Sequence, residues 1–289
     1  MAIRIRAECI RNQYQWSNCH HCLSACPIQA IKINSQISID TNQCNQCGRC
    51  VDACPFDAIT GDKPIYKIKE NTLYEDNQLS PSLETLLLLK AEGIHDIKLC
   101  ANNSTWINSI NQANQILDDN HISGFKIKFF EEHAEKISYS RRSFLRLLQL
   151  NQSIKSSNKE NATLLTAYPN YQFHRITLEP TKCNLCTSCE KFCPENCIQI
   201  EADKITINGK NCHGCQLCAD ICQKKSLLIK KEMHQIQINT YPVYQRQCVE
   251  CNKNYQRLNH PKNTLQRCPA CEFRQQNKTP MYKIGQNAM

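Results

Sequence analysis

The stretch Cys44-Asn45-Gln46-Cys47-Gly48-Arg49-Cys50-Val51-Asp52-Ala53-Cys54-Pro55 sets four cysteines three, three and four residues apart and closes on proline. The pattern returns as Cys183, Cys186, Cys189, Cys193, Pro194 and as Cys212, Cys215, Cys218, Cys222, Gln223. A shortened copy stands upstream as Cys19, Cys22, Cys26, Pro27. Four residues after the last cysteine of each copy comes a small residue: Ala30, Ala58, Cys197 and Ser226. One motif used four times, in two pairs, marks an internal repeat and therefore two modules of the same kind.

Twenty-two cysteines in 289 residues point either to a disulfide scaffold or to metal ligation. Tight Cys-x-x-Cys runs are metal-ligand spacing, and the opening MAIRIRAECI has no apolar core of signal-peptide length, so metal binding in the cytoplasm is expected. The most apolar run, residues 86–89, is four leucines, against the roughly 20 apolar residues a membrane span needs.

A short loop with three thiolates wraps one cubane 4Fe-4S cluster, and the fourth cysteine is carried away to the neighbouring one. Crossing gives Cys44, Cys47, Cys50 and Cys26 as one ligand set (cluster 2). It gives Cys183, Cys186, Cys189 and Cys222 as another (cluster 3), and Cys212, Cys215, Cys218 and Cys193 as a further one (cluster 4). Cluster 1 has Cys19, Cys22 and the crossing Cys54. Its register calls for a cysteine where Trp16 stands, and Cys9, otherwise without a partner, is the expected fourth ligand through a loop containing Tyr14 and Trp16. The alternatives are an open iron, a 3Fe-4S cluster, or His20 or His21 as ligand. Four zinc knuckles would not call for the third and fourth cysteines and the proline. Cys197 occupies the small-residue position and is expected to pack rather than ligate, and Cys100 is expected to be a plain buried thiol.

Through residues 44–55 and 183–194 in full, and the other two copies in part, the chain resembles the bacterial two-cluster ferredoxins and multi-ferredoxin redox subunits. The resemblance implies a ferredoxin-like fold around each cluster pair and one-electron transfer between them. It departs from the family at Trp16, at Gln223 where proline is usual, and in a long insert between the modules.

The expected class is α+β: two ferredoxin-like dicluster modules, 1–63 and 176–232, flank a small α/β insert, 64–150. Alternating runs at 31–33 with 37–39, and 198–200 with 205–207, predict hairpins in the modules. The insert predicts helices over 83–91, in an amphipathic segment ending at Gly93, and over 106–117, with strands over 94–99 and 125–130. Polar residues 151–175 read as a linker, and Ser140, Arg141, Arg142, Ser143, Phe144, Leu145 and Arg146 as a basic amphipathic helix rather than an export signal. At 233–289, Cys248, Cys251, Cys268 and Cys271 have the spacing of two knuckles closing on one tetrahedral metal, a zinc-ribbon-like hairpin, with iron as the alternative. Lys253, Arg257, Lys262, Arg267 and Arg274 on it could meet phosphates, but a protein partner is preferred.

Four clusters and one thiolate-bound divalent metal bring the formal charge from +9 to about −1, so net basicity argues little for nucleic acid. With seven glycines and no G-x-G-x-x-G, P-loop or H-E-x-x-H, no flavin, nicotinamide or substrate site is expected. No catalytic residue is assigned. The reading is a cytoplasmic electron carrier, free or peripheral to a membrane-bound complex, between a low-potential donor and an oxidoreductase subunit. Its rival is an iron–sulfur assembly or redox-sensing regulatory protein that uses the ribbon to bind nucleic acid or an apo-enzyme.

Overall fold

In the computed structural model residues 2–75, 80–100, 103–130, 164–258 and 267–276 are described. The described residues are α+β, with small sheets and no barrel among them. It divides into two compact units, residues 1–174 with 210–215 and 231–236, and residues 175–209 with 216–230 and 237–289.

The first unit begins with β1 (Arg4–Ile5), α1 (Ile10–Gln13), α2 (His21–Ala25), β2 (Ile31–Ile33), β3 (Ile37–Ile39), α3 (Arg49–Asp52) and β4 (Ile59–Thr60). β2 and β3 form the expected hairpin, Ile31 opposite Ile39, and β1 closes against β4, Ile5 opposite Ile59. Ile3, Ile31, Ile37, Val51 and Ile59 share their small core with Cys22 and Cys50, so part of this core is made of thiols.

The insert follows as β5 (Lys67–Lys69), β6 (Thr72–Tyr74), α4 (Leu83–Ala91), β7 (Asp96–Leu99), α5 (Ser104–Asp119) and β8 (Lys126–Phe129). Its sheet runs β5-β6-β7-β8, with β6, β7 and β8 parallel. Ser82 caps α4, its Oγ accepting the Thr85 N–H at 3.1 Å. α5 is amphipathic, with Trp106, Ile110, Ala113 and Leu117 buried on one stripe. α4 is not: Thr85, Leu86, Leu87, Leu89 and Lys90 are all buried, because the helix packs on α5 and on a further helix, α6 (Leu164–Ala167).

The expected linker lies outside the described residues as far as 163, as does the basic helix at 140–146. From 164 the chain is structured as α6 and β9 (Tyr171–Leu178), and Tyr168 and Phe173 join the core of the insert. The Tyr168 hydroxyl donates to the Leu87 carbonyl at 2.8 Å. A polar composition hid two aromatic anchors that bury here.

In the second unit come α7 (Ser188–Lys191), β10 (Ile198–Ile200), β11 (Lys204–Asn208), α8 (Leu217–Asp220), β12 (Leu227–Gln235), β13 (Ile238–Pro242), β14 (Tyr244–Gln247), β15 (Asn254–Arg257) and α9 (Pro269–Gln276). β9 pairs with β12, whose residues 231–235 belong to the first unit. β10 and β11 form the second expected hairpin, and β13 extends it, Lys204 opposite Pro242 through Asn208 opposite Ile238. Residues 238–242, expected in the metal-ribbon domain, are thus a strand on the β10–β11 sheet.

Candidate metal centres

The repeat in sequence is a repeat in backbone. Between the first and second cysteines of the three full runs, Gln46, Leu185 and Gly214 take φ of 59°, 59° and 69°; between the second and third, Gly48, Thr187 and Gln216 take 75°, 63° and 66°. After each fourth cysteine, Gln29, Asp57, Asn196 and Lys225 lie at 46° to 52°. Left-handed conformation costs a non-glycine residue about 1–2 kcal/mol, so its recurrence at equivalent places signals a shape the loops require. That shape turns N–H groups inward. Cys26 Sγ accepts from Ala30 N at 3.3 Å, Cys54 from Ala58 at 3.3 Å, Cys193 from Cys197 at 3.2 Å and Cys222 from Ser226 at 3.3 Å.

Cys9, Cys19, Cys22 and Cys54 all line one pocket, otherwise walled by residues such as Ile5, Ile10, Ile37, Phe56 and Ile59. α1 starts immediately after Cys9, and Arg11 on it donates to the Cys19 carbonyl, fastening this arm to the shortened run. Burial pushes the Cys22 thiol up to about 12, and the neighbouring Cys19, Cys54 and Cys9 push in the same direction. Cys19 and Cys54 are also raised by burial, with Cys9 adding to both. Trp16 is exposed, its ring 5.4 Å from that of Tyr14, and does not line the cavity. His20 is exposed with Nδ1 3.1 Å from the Asn18 carbonyl, whereas His21 lines the cavity with Nε2 3.3 Å from the Gly214 carbonyl. Four sulfurs around a mainly apolar space fit a thiolate-bound inorganic cluster.

Cys26, Cys44, Cys47 and Cys50 form a second group. Burial raises Cys50 to about 11, and Cys47, Cys26 and Cys44 add to it. Cys183, Cys186, Cys189 and Cys222 line a further pocket together with Leu178, Ile198, Ile205, Ile207 and Ser226. Burial there pushes Cys189 up to about 12, reinforced by Cys183 and Cys186. Crowded thiols hold their protons because several adjacent thiolates repel, a cost that a bound cation removes. Of the remaining set, Cys212 and Cys215 belong to the first unit and Cys193 and Cys218 to the second. The Cys197 thiol beside it lowers Cys193.

At the C-terminal end the sulfurs of Cys248, Cys251, Cys268 and Cys271 all lie within 4.8 Å of one another, with Cys251 and Cys268 3.8 Å apart. Thiolates on a tetrahedral metal at about 2.3 Å stand about 3.8 Å apart, so the donor set fits zinc or iron. Hairpin β14–β15 carries Cys248 and Cys251 in its turn, where Asn252 takes φ 55°, and α9 carries Cys271. The second knuckle is thus a helix start rather than part of a hairpin. Arg257 pairs with Glu272, and Arg267 with Glu250 at 2.7 Å, so two of the basic residues singled out face carboxylates. Lys262 lies outside the described residues.

Cys197 is buried in the small-residue position. Cys100, expected to be buried, is exposed: it lies one residue past β7, where the chain leaves the sheet, and its N–H donates to Glu75 Oε2 at 2.6 Å. His174, which nothing in the sequence marked, is buried with Nδ1 2.9 Å from the Cys212 carbonyl. Burial pushes it down to about 4. A Cβ on Gly214 would stand 2.3 Å from its Nε2, so the glycine inside that run was its one trace in the sequence.

The model of the Fer4 family, 4Fe-4S binding domain, matches residues 37–60, from β3 to β4 and including Cys44, Cys47, Cys50 and Cys54. No curated protein matches the chain. The match and the cysteine pattern make this an iron–sulfur protein with a 4Fe-4S binding domain, which implies a redox partner. No described helix is long and apolar enough to cross a membrane.

Proposed function

We propose that the chain is a cytoplasmic polyferredoxin, relaying single electrons through four 4Fe-4S clusters to or from an oxidoreductase partner, with a low-potential donor at the other end. The observation that carries this reading is the gathering of Cys9, Cys19, Cys22 and Cys54 around one cavity, which supports four cysteine ligands even for the run lacking its first cysteine. Cys26, Cys44, Cys47 and Cys50 would hold the second cluster, Cys183, Cys186, Cys189 and Cys222 the third, and Cys193, Cys212, Cys215 and Cys218 the fourth. When bound, such clusters supply one-electron storage at potentials set by their surroundings. The chain's own part is to hold the thiolates, exclude water with isoleucine side chains and direct N–H groups at the sulfurs.

Cys248, Cys251, Cys268 and Cys271 would hold one zinc in a ribbon-like piece that docks the partner protein. The carboxylate pairing of Arg257 and Arg267 favours this over nucleic-acid binding. With twenty of the twenty-two thiols committed to quartets, the chemistry on organic substrates belongs to the partner.

Anaerobically purified protein should contain about sixteen irons, matching acid-labile sulfide and one zinc. Cys9→Ser should lower the iron count by about a quarter, or convert one cluster to a three-iron form visible by EPR as isolated. An unchanged count and spectrum would remove Cys9 from the ligand set, and protein with no EPR-active clusters after dithionite would sink the electron-carrier reading.

A further inference from the structure

The fourth cysteine of every run accepts a backbone N–H from the residue four positions on, and in each copy that residue is buried: Ala30 and Ala58 are 1% exposed, Cys197 3% and Ser226 5%. The backbone is common to all four, but the side chain is not. Ser226 places Oγ 3.2 Å from Cys222 Sγ. A metal-bound thiolate carries no proton, so between these atoms the serine O–H must donate. Ala58 offers Cys54 no such donor. In the second quartet the Gln46 amide stands 3.6 Å from Cys44 Sγ, but it is exposed and water can take its place. Cys197, at the equivalent place beside Cys193, brings a weaker S–H, which has the Glu195 carbonyl at 3.9 Å as an acceptor.

Adding an electron to a cluster increases negative charge on its sulfurs, so a fixed, water-excluded donor stabilises the reduced form more than the oxidised one. Hydrogen bonds to the sulfurs are one of the protein's means of setting cluster potential. We propose that the Ser226 hydroxyl raises the reduction potential of the cluster held by Cys183, Cys186, Cys189 and Cys222 above the value that alanine at this position would give. This rests on the electron-carrier reading.

Ser226→Ala installs the residue that Ala30 and Ala58 already supply at the same backbone position, so the loop is expected to accept it. Full-length protein, purified anaerobically, would be titrated with dithionite and followed by EPR. Ser226→Ala should shift one reduction step to lower potential and leave the others and the iron content unchanged, while Ala58→Ser should move a different step upward. Wild-type protein with resolved steps, none of which moves in either variant, overturns the tuning role while leaving the carrier intact. Wild-type protein with no reducible cluster overturns both.

Discussion

Gly214 shows how much a single residue decides. Its φ of 69° is the left-handed turn that Gln46 and Leu185 make in the other runs, so conformation alone does not demand glycine. Contact does, because an added Cβ would fall 2.3 Å from His174 Nε2. Gly214→Ala should destabilise the holoprotein by about 2–3 kcal/mol, combining the left-handed cost with displacement of a buried ring held by the Cys212 carbonyl. Gly93→Ala, with nothing within 4 Å of the added methyl, should carry the left-handed cost alone, about 1–2 kcal/mol. Denaturant unfolding of the two variants side by side checks this; equal losses would refute the contact argument. Cys100 marks the opposite case, where a local reading went wrong. The strand-like Ile97, Lys98 and Leu99 before it predict a buried thiol, but the strand ends at Leu99 and the next side chain leaves the sheet.

Helices and strands were legible where their own pattern carried the information. The hairpins at 31–39 and 198–207 form as expected, with Ile31, Ile37, Ile198, Ile205 and Ile207 of their alternating isoleucines buried. α5 keeps its stripe for the same reason. α4 was misread as amphipathic: its four consecutive leucines face different sides, and partners on several sides bury three of them nearly completely. At its first turn Glu84 pairs with Lys231. Burial alone would raise this carboxyl, but the ammonium beside it holds it below the ordinary glutamate range. The folded-state pKa is therefore the lower one, and the pair's contribution is present above the unfolded value of about 4.5 and lost as pH falls through the folded one. Lys231→Met should remove that part of the acid dependence. Unfolding measured from pH 6 down to pH 3 reads it, and an unchanged slope would show the pair to be without effect.

At the scale of the whole molecule, thiols stand where a larger protein would place apolar side chains. Cys22 and Cys50 belong to a core of seven buried residues. The piece carrying β14, β15 and α9 has Cys248, Cys268 and Cys271 as its buried cluster, with Cys251 and Tyr255 packed on it. Four crowded thiols have no cohesion of their own, so the proposed metal is what would hold this piece. Treatment with a zinc chelator should open residues 244–276 to protease while the visible absorbance of the clusters persists. Unchanged protection would show that the piece folds without metal.

Sequence alone determined the four cysteine runs, the hairpins and the knuckle spacing, because ligand geometry is written in intervals of two and three residues. Tertiary structure decided what depends on distant partners. It brought Cys9 to the cavity of Cys19, Cys22 and Cys54, made core out of Tyr168 and Phe173 in an apparent linker, and placed 238–242 against β11. It also set the Ser226 hydroxyl on Cys222. Spacing constrains a loop, but a side chain's burial and hydrogen-bond partners follow from segments far away in the chain, which no local pattern encodes.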